Sequence, residues 1–455
     1  MEEQERIEIE RQADALIEGM DAERFRHVAG MVPSPSLTPL FEGNSSASHR
    51  ETVARLRDAG EPALADRIAA LRAERAQAAA EERWRAEEGA ATGVGPDGKV
   101  ALVDAELELA RERNPERRGA LARAAAEACE AAGRDREGAV EARARARAEV
   151  GLSPDWKAVI EGDALLGASD DAWFDVLRWR ARRELGILPA PKGNLARADL
   201  LHLLSLRRWS NLFKGGMLPL ALGWTFEALR LDPASIRIDS EVRPAKWPGA
   251  HVFGTRISFR TRGGAPDWLD LFDAAGRAFA AAGSPARRRD PVFGRALGWL
   301  LSSLLLEPRF LVERCDVDRR EVAELVMALQ LRRLFVLRAR AAALRIASEV
   351  ERGLSGAAWR EGYREAMTAA LCATWDGVRA ARDADAPTHR SALAGAGRGE
   401  ALRVSLVERF DEDWWRNPRT AEHLASLLEA GRLPIDEAAT PSRTAHAISA
   451  ALGAS

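Results

Sequence analysis

The chain has 455 residues, 46% hydrophobic and 30% charged, which excludes a disordered or collagen-like polymer and leaves room for about three average domains or fewer larger ones. Its 67 Lys and Arg against 69 Asp and Glu leave a net charge of −2, which argues against the basic face of a nucleic-acid-binding protein.

Residues 1–150 are dominated by Ala, Arg and Glu and are expected to form an N-terminal helical region. The opening MEEQERIEIERQ is charged throughout and has no apolar core, so no secretory signal is expected. Val53, Leu56, Leu64, Ile68 and Leu71 recur at helical spacing, with Gly60 and Pro62 breaking the run into two helices. GVGPDGKV places Gly93, Gly98 and Lys99 as in a phosphate-binding loop. However, Val100 stands where a hydroxyl should reach magnesium, and helix rather than strand precedes it. A turn between helices at Pro96-Asp97-Gly98 explains it better. A further helix is expected over 117–133. EARARARAE (141–149) reads as a solvated helix, because arginines two apart point to nearly opposite sides.

From 151 to 455 the character changes, with twelve of the 13 tryptophans and more apolar segments. DDAWFDVLRWRARREL and ARADLLHLLSLRRW read as buried helices. IRIDSEVRP and HVFGTRISFRT supply the only good strand material, a small sheet over about 236–261. A helix over 266–281 follows. Pro266 suits its first turn, Asp267 and Asp270 suit its positive N-terminal end, and Trp268, Phe272, Ala275 and Phe279 form its buried face. Asp267, Asp270 and Asp273 could also face a hard cation, but capping and an Asp273–Arg277 ion pair account for them. The apolar run ALGWLLSSLLL (296–306) is about half a membrane span, so no membrane segment is expected.

Chemistry-bearing motifs are sparse. The seven histidines include no pair within five residues, no GxSxG occurs, and Cys129, Cys315 and Cys372 read as isolated thiols of a reducing, cytoplasmic compartment.

Three stretches together resemble the helical zinc peptidases related to thimet oligopeptidase and oligoendopeptidase F, especially their shorter bacterial members. The first is IRIDSEVRPAKWPGAHVFGTRIS, with Asp239, Glu241, Arg243, Pro244, Lys246 and Pro248 in a D-x-E-x-R-P-x-K-x-P pattern. The second is RGGAPDWLDLFDAAGRAF, where that family runs from a Gly-Gly turn into the helix carrying H-E-x-G-H. The third is LVERFDEDWWRNPRTAEHLASLLEAGR (406–432). The resemblance covers about 170–435. It implies a mainly α, elongated, multi-helix zincin-like fold with a small sheet beside a central cleft.

It also implies a degenerate metal site. Asp273 falls at the first histidine, Ala274 at the general-base glutamate and Arg277 at the second histidine, while Arg295 falls near the third ligand. Ala274 cannot take a proton and Arg277 is permanently cationic, so the HExxH chemistry is absent from these positions. The family's substrate-contacting tyrosine segment aligns around THRSALAGAG (388–397), which has no Tyr, and the single Tyr363 is no obvious replacement. Glu241, Arg243, Lys246, His251 and Arg256 are the candidate cleft-lining residues.

The expectation is therefore a catalytically inactive peptidase-like protein. It needs no cofactor and no metal, binds a peptide or protein segment, and has neither nucleic-acid nor membrane partners. Two alternatives stand beside it: a partner-binding scaffold presented by residues 1–150, and a hydrolase of altered chemistry using Glu241 or Asp273.

Overall fold

The computed structural model describes residues 1–109, 111–190, 195–434 and 439–453. Within the two expected regions, 110, 191–194, 435–438 and 454–455 lie outside the described residues. The chain is mostly helical, as the resemblance implied.

The N-terminal part pairs two long helices, α1 (Glu3–Val28) and α4 (Pro62–Ala90), around the shorter α2 (Thr38–Gly43) and α3 (Arg50–Asp58). Ile9, Leu16 and Met20 meet Phe41, Val53, Leu56, Ile68 and Leu71 in one small core. The GVGPDGKV stretch departs from expectation. It does hold a turn, but of a β-hairpin, β1 (Thr92–Gly95) against β2 (Gly98–Ala101), and not a link between helices. Helices α5 (Leu102–Leu109), α6 (Pro115–Ala131) and α7 (Gly133–Glu149) follow. The expectation of a solvated α7 is also corrected. Arg145 is exposed, but Arg143 and Arg147, four apart on one face, turn inward to the Ala384 carbonyl (2.5 Å) and the Glu351 carboxylate (2.9 Å).

The chain then runs through α8 (Trp156–Leu185), the two-residue β3 (Leu195–Ala196), α9 (Arg197–Leu204) and α10 (Leu218–Ala228) into a three-stranded sheet. Its strands are β4 (Arg237–Asp239), β5 (Gly249–Phe253) and β6 (Arg256–Arg260), in the order β4-β6-β5. The 251–261 stretch spans the end of β5, the turn and β6, since β5 folds back antiparallel on β6 with Val252 opposite Ile257. The sheet leaves β5 at its edge.

Helices dominate from there: α11 (Ala265–Ala282), α12 (Pro291–Ser303), α13 (Pro308–Cys315), α14 (Arg319–Glu351) and α15 (Gly356–Leu371). After β7 (Ala373–Thr374), which pairs with β3, come α16 (Ala386–Phe410), α17 (Pro418–Ala430) and α18 (Pro441–Gly453).

Helix α11 begins at a Gly263-Gly264 turn with both φ angles positive, 93° and 83°. The buried Asp267 carboxylate secures that turn, accepting from the Gly263 N–H (2.7 Å), the Arg262 N–H (2.9 Å) and the Thr261 hydroxyl (2.5 Å). The predicted face is the buried one. Trp268 stacks on Phe272, Phe272 meets Phe310 edge-on and Phe279 meets Phe226 edge-on. Burial of each such ring stabilises by roughly 2 kcal/mol.

Two glycines then let three helices approach closely. A Cβ on Gly276 of α11 would lie 2.4 Å from the Leu297 carbonyl oxygen of α12. One on Gly395 of α16 would lie 2.3 Å from the Arg295 Cβ. Backbone sits against backbone at these crossings, which fixes where the side chains on the facing turns emerge.

This packing is testable. Gly276→Ala is expected to destabilise by about 1–3 kcal/mol through overpacking, whereas Gly138→Ala, at an exposed position with open space beside it, should be neutral or stabilise by about 0.5–1 kcal/mol. Denaturant titration of both variants checks the contrast, and equal midpoints would contradict it.

Candidate functional site

A cavity of about 270 Å³ lies where α11, α12, α14 and α16 converge beside the sheet edge. Asp270, Asp273 and Arg277 reach it from α11 and Arg295 and Trp299 from α12. Arg332, Arg333 and Arg340 reach it from α14, Ala392 from α16 and Ala250 from β5. A larger cavity of about 690 Å³ adjoins it, shares Arg332, and is lined by His251, Arg262, Arg197, Arg379, Arg382 and Glu106 among others. Neighbouring residues of β5 reach both, Ala250 the smaller cavity and His251 the larger.

Three of the four residues that the resemblance matches to the metal site, Asp273, Arg277 and Arg295, meet in the smaller cavity. Asp273 and Arg277 are an i, i+4 pair at 3.7 Å, both partly exposed. Arg295 points into the same space. Burial, and then the Arg277 guanidinium, push its pKa well below the ordinary guanidinium range. Burial likewise lowers Arg277, with Asp273 acting in the opposite direction. Ala274 does not line the cavity, because it is buried in the core beneath α11. Glu307 lies past the end of α12, after a 3-10 turn, where it pairs with Arg403 at 3.0 Å and is not among the cavity's lining residues.

The candidate cleft residues divide. His251 lines the larger cavity, whereas Glu241, Arg243, Lys246 and Arg256 line neither of these two cavities. The physical reason is local. The fully buried Lys246 ammonium donates to the Asp239 carbonyl (2.7 Å), the Asp239 carboxylate (3.0 Å) and the Glu241 carbonyl (3.0 Å). Arg243 donates to Asp239 (2.8 Å) and to the Ala29 carbonyl at the end of α1 (3.0 Å). The D-x-E-x-R-P-x-K-x-P stretch therefore ties its own loop down and docks it on α1, with the Glu241 side chain left 71% exposed. Arg256 faces Glu18 of α1 at 3.8 Å.

The arginines of α14 were not singled out from the sequence. Arg332 pairs with Asp270 (3.8 Å), which Arg262 also contacts. Arg333 covers the Trp299 ring (3.6 Å) and faces Glu400 (3.9 Å). Arg340 donates to Nδ1 of His389 (3.1 Å). The available signal was arginine repeated along the largely apolar middle of a 33-residue helix, because a buried guanidinium needs a reason to be there. The lone Tyr363 is buried away from the smaller cavity, with its hydroxyl on Asp383 and its oxygen accepting from the Trp375 indole N–H (3.2 Å).

Zinc does not fit this arrangement. The positions carry one carboxylate, a methyl group and two guanidiniums, so they offer a single donor where a catalytic zinc takes three. Among the described residues no three His, Cys, Asp or Glu side chains converge as a metal-ligand set. No helix there is long and apolar enough to cross a membrane.

No protein-family model matches the chain, and no curated protein matches it. Solved structures do. A PZ peptidase A determined with an inhibitor superposes with a TM-score of 0.54 at 12% identity, over 92% of this chain and 86% of the other. Two structures assigned as oligoendopeptidase F, one from Bacillus anthracis, give TM-scores of 0.53 and 0.52 at 13% and 12% identity, each over 92% of this chain and 84% of theirs. At such identity the likeness is one of fold: this chain has the helical oligopeptidase fold.

His389 supplies a pH test of the site's electrostatics. An arginine can only donate, so Nδ1 of His389 is an acceptor and its proton sits on Nε2, which donates to the Asp383 carbonyl. Burial, and then Arg340, push this imidazole down to about 4. Its folded value lies below the unfolded value of about 6.5, so the unfolded chain takes up the proton first as pH falls. The resulting stability is present above about pH 6.5 and is lost as pH falls towards 4. Thermal melts across that window should therefore fall more steeply for the wild type than for His389→Gln, and parallel profiles would contradict the assignment.

Proposed function

We propose that the protein is a catalytically inactive relative of the helical zinc peptidases that binds a peptide or protein segment in the cleft beside α11. The observation that carries this reading is the identity of the side chains facing the smaller cavity. In the resembling family two imidazoles hold a metal and a glutamate activates water; here Asp273 and Arg277 pair on the same helix, and Ala274 lies in the core. No proton acceptor adjoins a metal-ligand set, so no hydrolytic step follows from these residues.

A binding role draws on the retained cleft. Strand β5 is a sheet edge whose residues reach both cavities, and an edge strand offers unpaired backbone groups to an extended peptide. The altered-hydrolase alternative loses support because Glu241 lies outside both cavities and Asp273 already faces Arg277. The alternative of a partner-binding scaffold presented by residues 1–150 has no specific observation behind it, and ion pairs such as Arg287–Glu10, Arg360–Glu137 and Arg379–Glu106 join that region to the remainder.

The test is a fluorescent-peptide library titrated against pure full-length protein, followed by chromatography of the peptides after incubation with added zinc. The expected outcome is saturable binding of some peptides without cleavage. Chelator-sensitive cleavage would overturn the inactive reading, and absence of saturable binding across the library would overturn the peptide-binding one.

A further inference from the structure

Three guanidiniums in the smaller cavity come from three different helices: Arg277 from α11, Arg295 from α12 and Arg340 from α14. Against them stand Asp273, loosely placed at 3.7 Å from Arg277, and Asp385, which acts on Arg295 from further off and already faces Arg143 at 3.5 Å. The other two arginines lining the space have their own acids, Arg332 in Asp270 and Arg333 in Glu400. Arg340 has only the neutral His389 as an acceptor, and Arg295 has neither a hydrogen bond nor an ion pair among the described residues. Three positive charges therefore face Asp273 and a more distant Asp385 that Arg143 shares, a local positive excess inside a protein whose net charge is −2.

Such an excess is costly in a partly desolvated space unless an anion offsets it. Guanidinium forks suit one class of partner above others, the planar or tetrahedral oxyanion, which they engage through paired N–H donors. The remaining wall is apolar, from Leu269, Leu337 and Ala250, and the volume of about 270 Å³ suits a small molecule better than a folded segment.

We propose that Arg277, Arg295 and Arg340 form a binding site for a small dianionic oxyanion, a dicarboxylate or a phosphate. The site stands whether or not the cleft also takes a peptide. It assigns a ligand to the position where the resemblance leaves only a missing metal.

The test uses full-length protein and two probes, inorganic phosphate and glutarate, each titrated at constant ionic strength set with sodium chloride. Binding is read by calorimetry and by thermal shift. Saturable binding of either probe to the wild type is expected, weakened at least tenfold in Arg295→Met and in Arg340→Gln. The exposed Arg345→Gln should bind as the wild type does. Because Arg295→Met removes a repelled charge and keeps an apolar stem, it should unfold in chloride at no lower temperature than the wild type. A merely structural Arg295 would not show that combination. Phosphate binding alone identifies a phosphate-type ligand, glutarate alone a dicarboxylate, and both the shared chemistry. Absence of binding by either probe, or equal binding by the wild type and the Arg295 and Arg340 variants, would overturn the proposal.

Discussion

The whole arrangement depends on how closely α11, α12 and α16 approach one another. At Gly276 and Gly395 there is no room for a β-carbon, so the helices meet almost backbone to backbone. That contact fixes the turns carrying Asp273, Arg277 and Arg295, and it needs no metal to hold them. On its other face α11 is anchored by the Trp268, Phe272 and Phe279 rings, and its entry is secured by Asp267. A helix supported in this way keeps its place when the residues that would bind metal are replaced.

Within that unchanged frame the electrostatics are different. In the proposed reading, guanidiniums stand where the resembling family places a second imidazole and, nearby, a third ligand. Longer and always cationic, they demand counter-charge rather than supply electron pairs. The protein meets that demand unevenly. Around the larger cavity arginines and acids interlock, as where Glu106 serves Arg379 and Arg197. Around the smaller one, among the described residues, Arg295 and Arg340 have no acid in ion-pair contact. The proposed binding role and the proposed anion site both grow from this imbalance beside the β5 edge of the sheet.

Much of this was legible in sequence where the information was local. The buried stripe of α11, its Gly-Gly entry and the small sheet could be read from periodicity and turn residues, and the Asp273–Arg277 spacing dictated a helical pair. What was not legible depended on distant partners. The acceptors of Arg143 and Arg147 lie more than 200 residues away, so a helix that looked solvated proved half-buried. Lys246 looked like a cleft residue because a resemblance placed it near one, but its ammonium is consumed by its own loop. The 92–101 hairpin was missed because four-residue strands leave almost no alternation to detect. Arg340 was missed because nothing in α14 alone reveals which arginine faces a cavity.

The central claim is that the residues on α11 and α12 cannot constitute a zinc centre. It is tested most directly by the zinc content of pure protein incubated with excess zinc and then dialysed, measured by atomic spectroscopy. The predicted result is no retained stoichiometric zinc, and the same content in the wild type as in Asp273→Ala. Stoichiometric zinc in the wild type, lost in Asp273→Ala, would contradict it.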